Sequence, residues 1–264
     1  MPQRRVLITG AGSGLGRALA ARYAAAGCTI ACADIHAGRA AETVAQLPGD
    51  GHFALAVDVG DDDSFHAMHA ALRERWPGAV DVLINNAGIA SGGPLIGTEM
   101  DEWHRLININ VLSVVRGCHA FLPAMLAAGH GQIINTASFA GLAGAPNIMT
   151  YGVSKAAVVT LSEQLRAELH GRGIAVSVVC PAFFKTNLLE SWQGNAKMKP
   201  FAEKMMATSP DTLDTVADAV FAAAERGQFL IIPTRNEPLR WRIKRWFPHW
   251  YYRMLIKATR RSNP

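Results

Sequence analysis

The sequence predicts an α/β protein, a single doubly wound domain built on a seven-stranded parallel sheet with helices on both faces. Seven short apolar runs alternate with helix-length segments rich in Ala, Leu, Glu and Arg, which is typical of repeated strand-helix-strand units. The runs lack an alternating polar face, as expected for strands that helices cover on both sides. A chain of 264 residues, 50% of them hydrophobic, can bury such a core as one domain.

Each predicted strand is a run of apolar or β-branched residues that ends at a polar or turn-forming residue. In chain order the runs are VLIT at 6–9, CTIACAD at 28–34, HFALAVD at 52–58, VDVLINN at 80–86, QIINTAS at 132–138, IAVSVVC at 174–180 and FLIIP at 229–233. Helices are expected between them, for example on GRALAARYAAAG and AAVVTLSEQLRAELHGRG, because these segments contain many strong helix formers.

Charge divides the chain into a domain of residues 1–234 and a basic, aromatic C-terminal extension of residues 235–264. The extension has nine Arg and Lys residues against one Glu, whereas the domain has 17 basic and 20 acidic residues. The net charge of +5 therefore originates in the extension. A nucleic-acid partner is not predicted, because the domain itself is slightly acidic.

Several classes of protein are excluded by the N-terminus and the cysteines. The N-terminal segment MPQRRVLITG has no readable signal peptide, and no uninterrupted apolar run approaches the roughly 18 residues needed to span a bilayer. We therefore expect a cytoplasmic protein, or one that contacts a membrane peripherally from the cytoplasmic side. The four cysteines form no CxxC pair and lie in apolar segments, so neither a metal site nor a disulfide is predicted.

The first strand runs directly into a glycine-rich turn, TGAGSGLG at 9–16, and then into a helical pattern. Backbone N–H groups and a helix N-terminus at this position are suited to a pyrophosphate. The alternating glycines allow a tight turn and a close approach to a ligand, although the stretch does not match GxGxxG spacing in any register. The alternative is a strand-to-helix turn that binds no ligand.

Asp34 ends the second strand, 18 residues after Gly16. A carboxylate there can accept hydrogen bonds from the adenosine ribose hydroxyls and would repel a 2′-phosphate, which favours NAD over NADP. Arg17 and Arg39 are the nearby basic residues, and we interpret both as solvated helix residues.

Tyr151 and Lys155 lie four residues apart in YGVSK, and residues at this spacing share one face of a helix. Nine arginines and no lysine precede this Lys. An ammonium is a compact charge that can lower the pKa of a phenol from about 10 toward neutrality, as a tyrosine acting as acid and base requires. A surface tyrosine beside a solvated lysine is the alternative when the pair is considered alone.

Together these motifs resemble the short-chain dehydrogenase/reductase family, over about residues 5–233. Besides the glycine turn and the Tyr-Lys pair, the resemblance rests on NNAG at 85–88, Ser138 after the fifth strand, Asn110 at the family's spacing, and Pro181 with Thr186 five residues later. The resemblance implies a Rossmann-type domain with strand order 3-2-1-4-5-6-7. One departure is Ala182, where the family usually has Gly after Pro181.

The resemblance also implies roles for individual residues. Tyr151 would be the general acid and base, Ser138 would bind the substrate oxygen, Asn110 would hold a water in a proton relay, and Lys155 would also bind the nicotinamide ribose. Asn108 is an alternative to Asn110 that only spacing disfavours. The predicted cofactor-binding residues are Gly10, Ser13, Gly14, Leu15, Gly16, Asp34, Asp58, Val59, Asn86, Ala87, Gly88, Tyr151, Lys155, Pro181 and Thr186. Asp58 could instead cap the next helix, although residues 61–64 offer better caps.

Segments expected to line the substrate pocket are apolar, and a Trp- and Met-containing loop follows the sixth strand, which is typical of a hydrophobic lid. The predicted function is an NAD(H)-dependent oxidoreductase that interconverts a hydrophobic secondary alcohol and its ketone. The alternatives are a 3-oxoacyl thioester reductase, for which lysines near the lid could bind an anionic group, and a non-catalytic dinucleotide-binding, membrane-associated protein. A homodimer or homotetramer is expected from the family.

In the C-terminal extension, apolar residues recur at helical spacing with basic residues between them, interrupted once at Pro248. The apolar residues are Leu239, Ile243, Trp246, Phe247, Trp250 and Met254. A basic amphipathic segment of this kind predicts peripheral contact with a membrane through residues 238–261. The alternative is that the apolar stripe packs on the domain or on a neighbouring subunit.

Overall fold

The computed structural model of the protein describes residues 3–262, with side chains described up to residue 257. Its centre is a seven-stranded parallel sheet with the order β3-β2-β1-β4-β5-β6-β7, which confirms the predicted fold class and strand order. The strands are β1 Arg5–Thr9, β2 Thr29–Asp34, β3 Phe53–Ala56, β4 Val82–Asn85, β5 Gly131–Thr136, β6 Ile174–Val179 and β7 Leu230–Ile231.

Six of the seven strands are shorter than the apolar runs that predicted them, whereas β1 is one residue longer. A parallel ladder ends where one partner ends, and β3 has partners only opposite residues 31–34 of β2. β7 is only two residues long because it pairs with β6 at two positions alone. Residues beyond these ends still form backbone bonds, for example Cys180 to Ile231 at 2.7 Å, so the runs mark buried segments rather than strand boundaries.

Helices cover both faces of the sheet. The helices of the first half are α1 Gly14–Ala25, α2 Ala37–Gln46, α3 Asp62–Arg75, α4 Met100–Ile107 and, after a π-helical turn Asn108–Leu112, α5 Ser113–Ala128. Those of the second half are α6 Phe139–Ala143, α7 Met149–Glu168, α8 Lys199–Ala207, α9 Leu213–Glu225, α10 Glu237–Trp246 and α11 Pro248–Ser262, with short 3-10 turns at Asn187–Ser191 and Ala196–Met198. Asp61 caps α3 by accepting the N–H of Ser64 at 2.7 Å, so this predicted cap is confirmed.

Two hydrophobic clusters, one on each side of the sheet, result from this arrangement. Alternate residues of β1 point to opposite clusters: Leu7 belongs to one, and Val6 and Ile8 belong to the other. All three are fully buried, which explains why the strand has no polar face. The four cysteines are buried and free, and no cluster of potential metal ligands occurs in the described part of the chain.

The helical stretch of residues 100–128 is long and apolar enough to cross a membrane by length and composition alone. Its buried residues, however, pack on the sheet. Val114, Cys118, Phe121 and Met125 belong to the same cluster as the strand residues, as expected for a helix that covers a sheet. This stretch is therefore part of the domain core.

Candidate active site

A cleft of about 390 Å³ lies at the carboxyl ends of the parallel strands, where ligands of doubly wound sheets bind. Of the predicted site residues, the cleft is lined by Gly10, Ser13, Gly14, Leu15, Asp34, Asp58, Val59, Asn86, Ala87, Gly88, Ser138, Tyr151, Lys155, Pro181 and Thr186. Gly16 and Asn110 do not line it. Residues from both halves of the chain therefore meet in one cavity.

In the glycine turn beneath this cleft, the backbone at Gly16 packs closely against the backbone at Gly10. Gly10 has φ +67° and Gly14 has φ +50°, in the left-handed region that glycine adopts without strain. A Cβ atom on Gly16 would lie 2.2 Å from the carbonyl oxygen of Gly10, so its role is close packing of the turn. Ser13 is the N-cap residue of α1 and makes no side-chain capping bond. The turn therefore leaves a helix N-terminus facing the cleft.

Asp34 organises this turn as well as facing the cleft. Its carboxylate accepts the N–H of Gly12 at 2.8 Å and the N–H of His36 at 2.9 Å, and the residue is buried. A Cβ on Gly12 would lie 2.7 Å from the Asp34 carboxylate and 2.8 Å from the Cβ of Arg39. Gly12 is thus a position where only a hydrogen atom fits.

The interpretation as a solvated helix residue is wrong for Arg17, whereas Arg39 lies on α2 with an exposed side chain, as expected. The Arg17 side chain donates to the Thr43 hydroxyl at 2.9 Å and to the Gly12 carbonyl, so it braces the glycine turn. Arg39 lines the cleft and forms an ion pair with Glu190 at 3.0 Å. Both arginines thus have defined partners, Arg17 in the glycine turn and Arg39 in the loop after β6.

Ser138, Tyr151 and Lys155 come from two adjacent elements. Ser138 is the N-cap of α6 and accepts the N–H of Ala140 at 3.1 Å, while the Tyr-Lys pair lies on one face of α7. The Lys155 ammonium donates to the carbonyl oxygen of Thr136 at 3.0 Å and lies 5.9 Å from the centre of the Tyr151 ring. A hydroxyl, a phenol and an ammonium therefore line one part of the cleft.

Burial dominates the protonation of this cluster. It raises the pKa of the Tyr151 phenol, and a hydrogen bond with Ser138 offsets part of this increase. Burial also lowers the pKa of Lys155 to about 8 and raises that of the neighbouring Cys180 to about 12. The pKa of Tyr151 is therefore raised here and not lowered by Lys155 as predicted, because desolvation of the phenolate outweighs the hydrogen bond with Ser138.

Asn110 is fully buried in the π-helical turn between α4 and α5. Its amide donates to the Ile89 carbonyl and to the Ser154 hydroxyl, both at 3.0 Å, and its oxygen accepts the Ile89 N–H at 2.9 Å. Of the two candidate asparagines, this one lies beside the cluster: a Cβ on Gly88 would touch both the Asn110 oxygen and the Lys155 ammonium. Asn108 instead donates to the Gly60 carbonyl. Asn110 therefore connects the loop after β4 to α7.

The remaining predicted positions line the cleft through different contacts. Asn86 donates to the Thr9 carbonyl at 3.1 Å and joins the ends of β1 and β4. Asp58 accepts the N–H of Gly60 at 2.8 Å. Thr186 lies 3.5 Å from the Cβ position of Gly14, so the loop after β6 begins above the glycine turn. Ala182 has no positive φ, which explains why Ala is tolerated where the family usually has Gly.

Sequence reasoning missed several residues. Thr136 supplies only a backbone carbonyl, which no side-chain pattern indicates. Glu102, on α4, accepts the hydroxyls of Ser91 and of Thr150, the latter at 2.7 Å, and so connects α4, the loop after β4 and the start of α7. The Arg39–Glu190 pair joins positions 151 residues apart. None of these contacts has a local sequence signal.

A lid segment, residues 187–207, closes one side of the cleft. It is anchored to the loop after β4 by backbone bonds from Gln193 to Ala90 at 3.0 Å and from Asn195 to Gly92 at 2.7 Å. Its apolar residues Leu189 and Trp192 pack beside Ala90 in a small cluster of their own. The sequence predicts an apolar substrate pocket from residues that include Ile89, Leu95, Phe184, Leu188, Phe201 and Met206; of these, Ile89, Phe184, Leu188 and Met206 line the cleft. Leu95 and Phe201 are exposed instead.

The fold and this constellation define a dinucleotide-dependent oxidoreductase. The family profile described as short chain dehydrogenase matches residues 4–197, and the chain belongs to the short-chain dehydrogenase/reductase family. It is 32% identical over 226 residues to the meso-2,3-butanediol dehydrogenase of Serratia marcescens, covering 85% of this chain and 89% of that protein. The protein is therefore an enzyme of the alcohol dehydrogenase and ketoreductase class.

Solved structures agree with this assignment. A short-chain dehydrogenase/reductase from Burkholderia phymatum in complex with NAD is 30% identical, with a TM-score of 0.86 and coverage of 92% of this chain and 93% of that one. A short-chain dehydrogenase from Sphingobium yanoikuyae in complex with NADPH is 29% identical, with a TM-score of 0.77 and coverage of 97% and 95%. Both nicotinamide nucleotides thus occur among similar structures.

The residues of this chain fit a nicotinamide dinucleotide. The glycine turn keeps side chains away from the N-terminus of α1, where a Cβ at Gly12 or Gly16 would collide with neighbouring atoms. Asp34 stands at the end of β2, and Lys155 lies across the cleft beside Tyr151. When bound, the nicotinamide ring donates or accepts a hydride, so a proton must be handled by the protein.

Proposed function

We propose that the protein is an NAD(H)-dependent oxidoreductase that interconverts a hydrophobic secondary alcohol and its ketone. The observation that carries this proposal is the meeting of Ser138, Tyr151 and Lys155 in the cleft that the glycine turn and Asp34 also line. A hydroxyl, a phenol and an ammonium provide one group to orient the substrate oxygen, one to transfer a proton and one to stabilise the resulting phenolate.

In ketone reduction, Tyr151 gives its phenolic proton to the carbonyl oxygen as that oxygen becomes an alcohol. In the opposite direction the Tyr151 phenolate removes the hydroxyl proton of the alcohol. The Ser138 hydroxyl holds the reacting oxygen, and the Lys155 ammonium stabilises the phenolate. The raised pKa of Tyr151 supports the acid role at neutral pH, since the phenol remains protonated until a substrate accepts the proton. Asn110 positions Ser154 and the Ile89 backbone beside this cluster.

The preference for NAD rests on the charge at the adenosine end of the cleft. Asp34 presents a buried carboxylate there, and the two nearby arginines already have anionic partners, Arg39 with Glu190 and Arg17 with Glu42. The 2′-phosphate of NADP would be repelled by the Asp34 carboxylate, and the Arg39 guanidinium that could bind it is already paired with Glu190. A ribose with free hydroxyls would instead donate hydrogen bonds to Asp34.

The preference for apolar substrates rests on the walls of the cleft. Ile89, Phe184, Leu188 and Met206 line it, and the lid segment adds Leu189 and Trp192 behind them. A bulky alcohol or ketone would bury apolar surface against these residues. Each Å² removed from water would contribute about 25 cal/mol to the binding free energy. A small polar polyol would have few hydrogen-bonding partners there.

Oxidation of NADH and of NADPH with a series of ketones of increasing bulk tests the proposal. The expected result is turnover with NADH that increases in kcat/KM with the apolar surface of the ketone. Turnover of 3-oxoacyl thioesters with NADPH, and none with simple ketones, would identify the alternative reductase. Binding of NADH without turnover of any carbonyl compound would identify a non-catalytic dinucleotide-binding protein.

We also propose that the protein is a cytoplasmic homodimer or homotetramer. Exposed apolar side chains on the covering helices support self-association: Leu112, Val115 and Val153 are 42%, 40% and 44% exposed, and the π turn that holds the first of them packs on α7. Light scattering coupled to gel filtration measures the mass. Val115→Asp is expected to reduce it, and a wild-type monomer at micromolar concentration would contradict self-association.

A further inference from the structure

The C-terminal helices α10 and α11 expose large apolar side chains to solvent. Five of the six residues in the predicted stripe are exposed, and Ile243 alone is half-buried. The exposed fractions are 63% for Leu239, 76% for Trp246, 64% for Phe247, 56% for Trp250 and 39% for Met254. Several exposed large apolar side chains on two helices that contact each other are typical of an interaction site. Packing on the protein's own domain, one of the two alternatives, therefore leaves at least 39% of each of these five residues exposed.

Other residues hold the helix pair on the domain. Tyr251 is buried, and the Lys244 ammonium donates to the carbonyl oxygen of Leu142 in α6. Within α10, the buried Glu237 forms an ion pair with Arg240 at 3.2 Å and so stabilises the helix itself. The helices are thus attached through one set of side chains and present the other set outward.

Basic side chains are interleaved with the exposed apolar ones. On α10, Arg242 follows Leu239 by three residues and precedes Trp246 by four. On α11, Arg253 and Lys257 follow Trp250 by three and seven residues, so each group shares a helix face. These three basic residues are exposed, whereas the acidic residue of the extension, Glu237, is buried. Basic side chains next to exposed Trp, Phe and Leu can contact anionic headgroups while the apolar side chains enter the membrane interface.

We infer that residues 238–257 form a docking surface for an anionic lipid bilayer. The alternative partner for this surface is a second copy of this chain. In a two-fold contact the same basic surface would face itself with no exposed acidic partner. Anionic headgroups supply the missing negative charge, and the headgroup region accommodates Trp and Phe side chains. The predicted segment continued to residue 261, but side chains from 258 onward lie outside those described. The inference does not depend on the substrate or on the nucleotide.

Sedimentation of the full-length protein with vesicles tests the inference. We expect binding to phosphatidylcholine vesicles that contain phosphatidylserine at low salt, weakening as salt increases, and little binding to pure phosphatidylcholine. The triple variant Arg242→Gln, Arg253→Gln, Lys257→Gln should partition about 100-fold more weakly. The double variant Trp246→Ala, Trp250→Ala should lose about tenfold in partitioning.

Matched variants of the domain serve as controls. Arg105→Gln, Arg172→Gln and Arg226→Gln remove three exposed positive charges elsewhere. Leu95→Ala with Ile96→Ala removes apolar side chains that are 59% and 89% exposed. Both controls should bind vesicles as the wild type does, and circular dichroism and NADH binding should be unchanged in all variants. The inference is overturned if the wild type ignores anionic vesicles at low salt, or if the tail variants bind as tightly as the controls. Dissociation of an oligomer by the Trp variant, without vesicle binding by the wild type, would identify a second copy as the occupant.

Discussion

The ammonium nitrogen of Lys155 donates its 3.0 Å hydrogen bond to a backbone carbonyl, that of Thr136, while the Tyr151 ring centre lies 5.9 Å away. A neutral carbonyl returns only part of the hydration that a buried ammonium loses, and the pKa of Lys155 accordingly falls from 10.5 to about 8. Holding a cation beside the phenol therefore reduces the stability of the fold. Such a cost is typical of functional residues.

Replacement of Lys155 by Met should stabilise the protein in the absence of nucleotide while abolishing activity. In the pH range from about 8 to 10.5 the unfolded chain binds more protons at this site than the folded chain does. Stability therefore rises with pH across that range, and the full cost, up to about 3 kcal/mol, applies below pH 8. The substitution also removes the hydrogen bond to Thr136, which reduces the gain in stability by about 1 kcal/mol.

We thus expect the free energy of unfolding at pH 7 to increase by about 2 kcal/mol in Lys155→Met, with no increase above pH 10.5. Urea titrations at several pH values measure it. Lys185→Met, at an exposed lysine, is the matched control and should leave stability unchanged. A Lys155→Met protein that is less stable than the wild type at pH 7 would contradict the argument.

Tyr151→Phe should reduce turnover at least about 100-fold, the lower end of the contribution of a general acid and base. Only the proton-transferring oxygen is removed, so NADH binding, measured by fluorescence titration, should remain within a factor of about two. Tyr252→Phe, at a tyrosine that is 63% exposed, controls for loss of a phenolic hydroxyl. Retention of more than about a hundredth of wild-type activity by Tyr151→Phe would exclude the assignment.

The two reaction directions should respond oppositely to pH. Burial raises the pKa of Tyr151, so the phenol is protonated at neutral pH and serves as an acid there. Alcohol oxidation needs the phenolate, and its kcat/KM should rise as pH increases into the alkaline range, whereas ketone reduction should fall. Profiles of kcat/KM against pH in both directions test this. Oxidation that is fastest at acidic pH would be incompatible with Tyr151 as the base.

The fold was predictable because its signals are local. The apolar run of each strand, the glycine turn and the Tyr151–Lys155 spacing each lie within a short segment, and a parallel sheet brings such segments to one edge. Contacts between distant segments were not predictable. Arg39 and Glu190 are surface charges with no local pattern, and the Thr136 carbonyl has no side-chain signature. The direction of the Tyr151 pKa shift also depends on burial, which spacing does not reveal.

Gly12→Ala should weaken NADH binding without preventing folding. Its Cβ would lie 2.7 Å from the Asp34 carboxylate, so Asp34 must move and the Gly12 N–H to carboxylate bond is disturbed. We expect the Kd for NADH to increase about tenfold, the loss of roughly one charge-assisted hydrogen bond. Gly38→Ala is a matched control, because nothing lies within 4 Å of its Cβ position. Equal NADH binding by the two variants would show that the turn does not require Gly12.

Asp34→Ala should narrow the preference for NADH over NADPH. The variant loses both the acceptor for ribose hydroxyls and the charge that repels a 2′-phosphate, so the ratio of kcat/KM values should shift at least about tenfold toward NADPH. Asp63→Ala, at an exposed aspartate, should leave the ratio unchanged. A wild-type enzyme that prefers NADPH would refute the nucleotide assignment.

The ion pair between Arg39 and Glu190 should contribute to the same preference. Arg39 lines the cleft beside Asp34, and Glu190, on the lid segment, accepts its guanidinium at 3.0 Å. In Glu190→Gln the guanidinium loses its anionic partner and becomes available to a 2′-phosphate, for which Arg is a strong ligand. The KM for NADPH should fall several-fold relative to that for NADH, and Arg39→Gln added to this variant should reverse the gain. Because both side chains are substantially exposed, the melting temperature should not change. A Glu190→Gln enzyme with an unaltered nucleotide ratio would mean that the pair only fastens the lid.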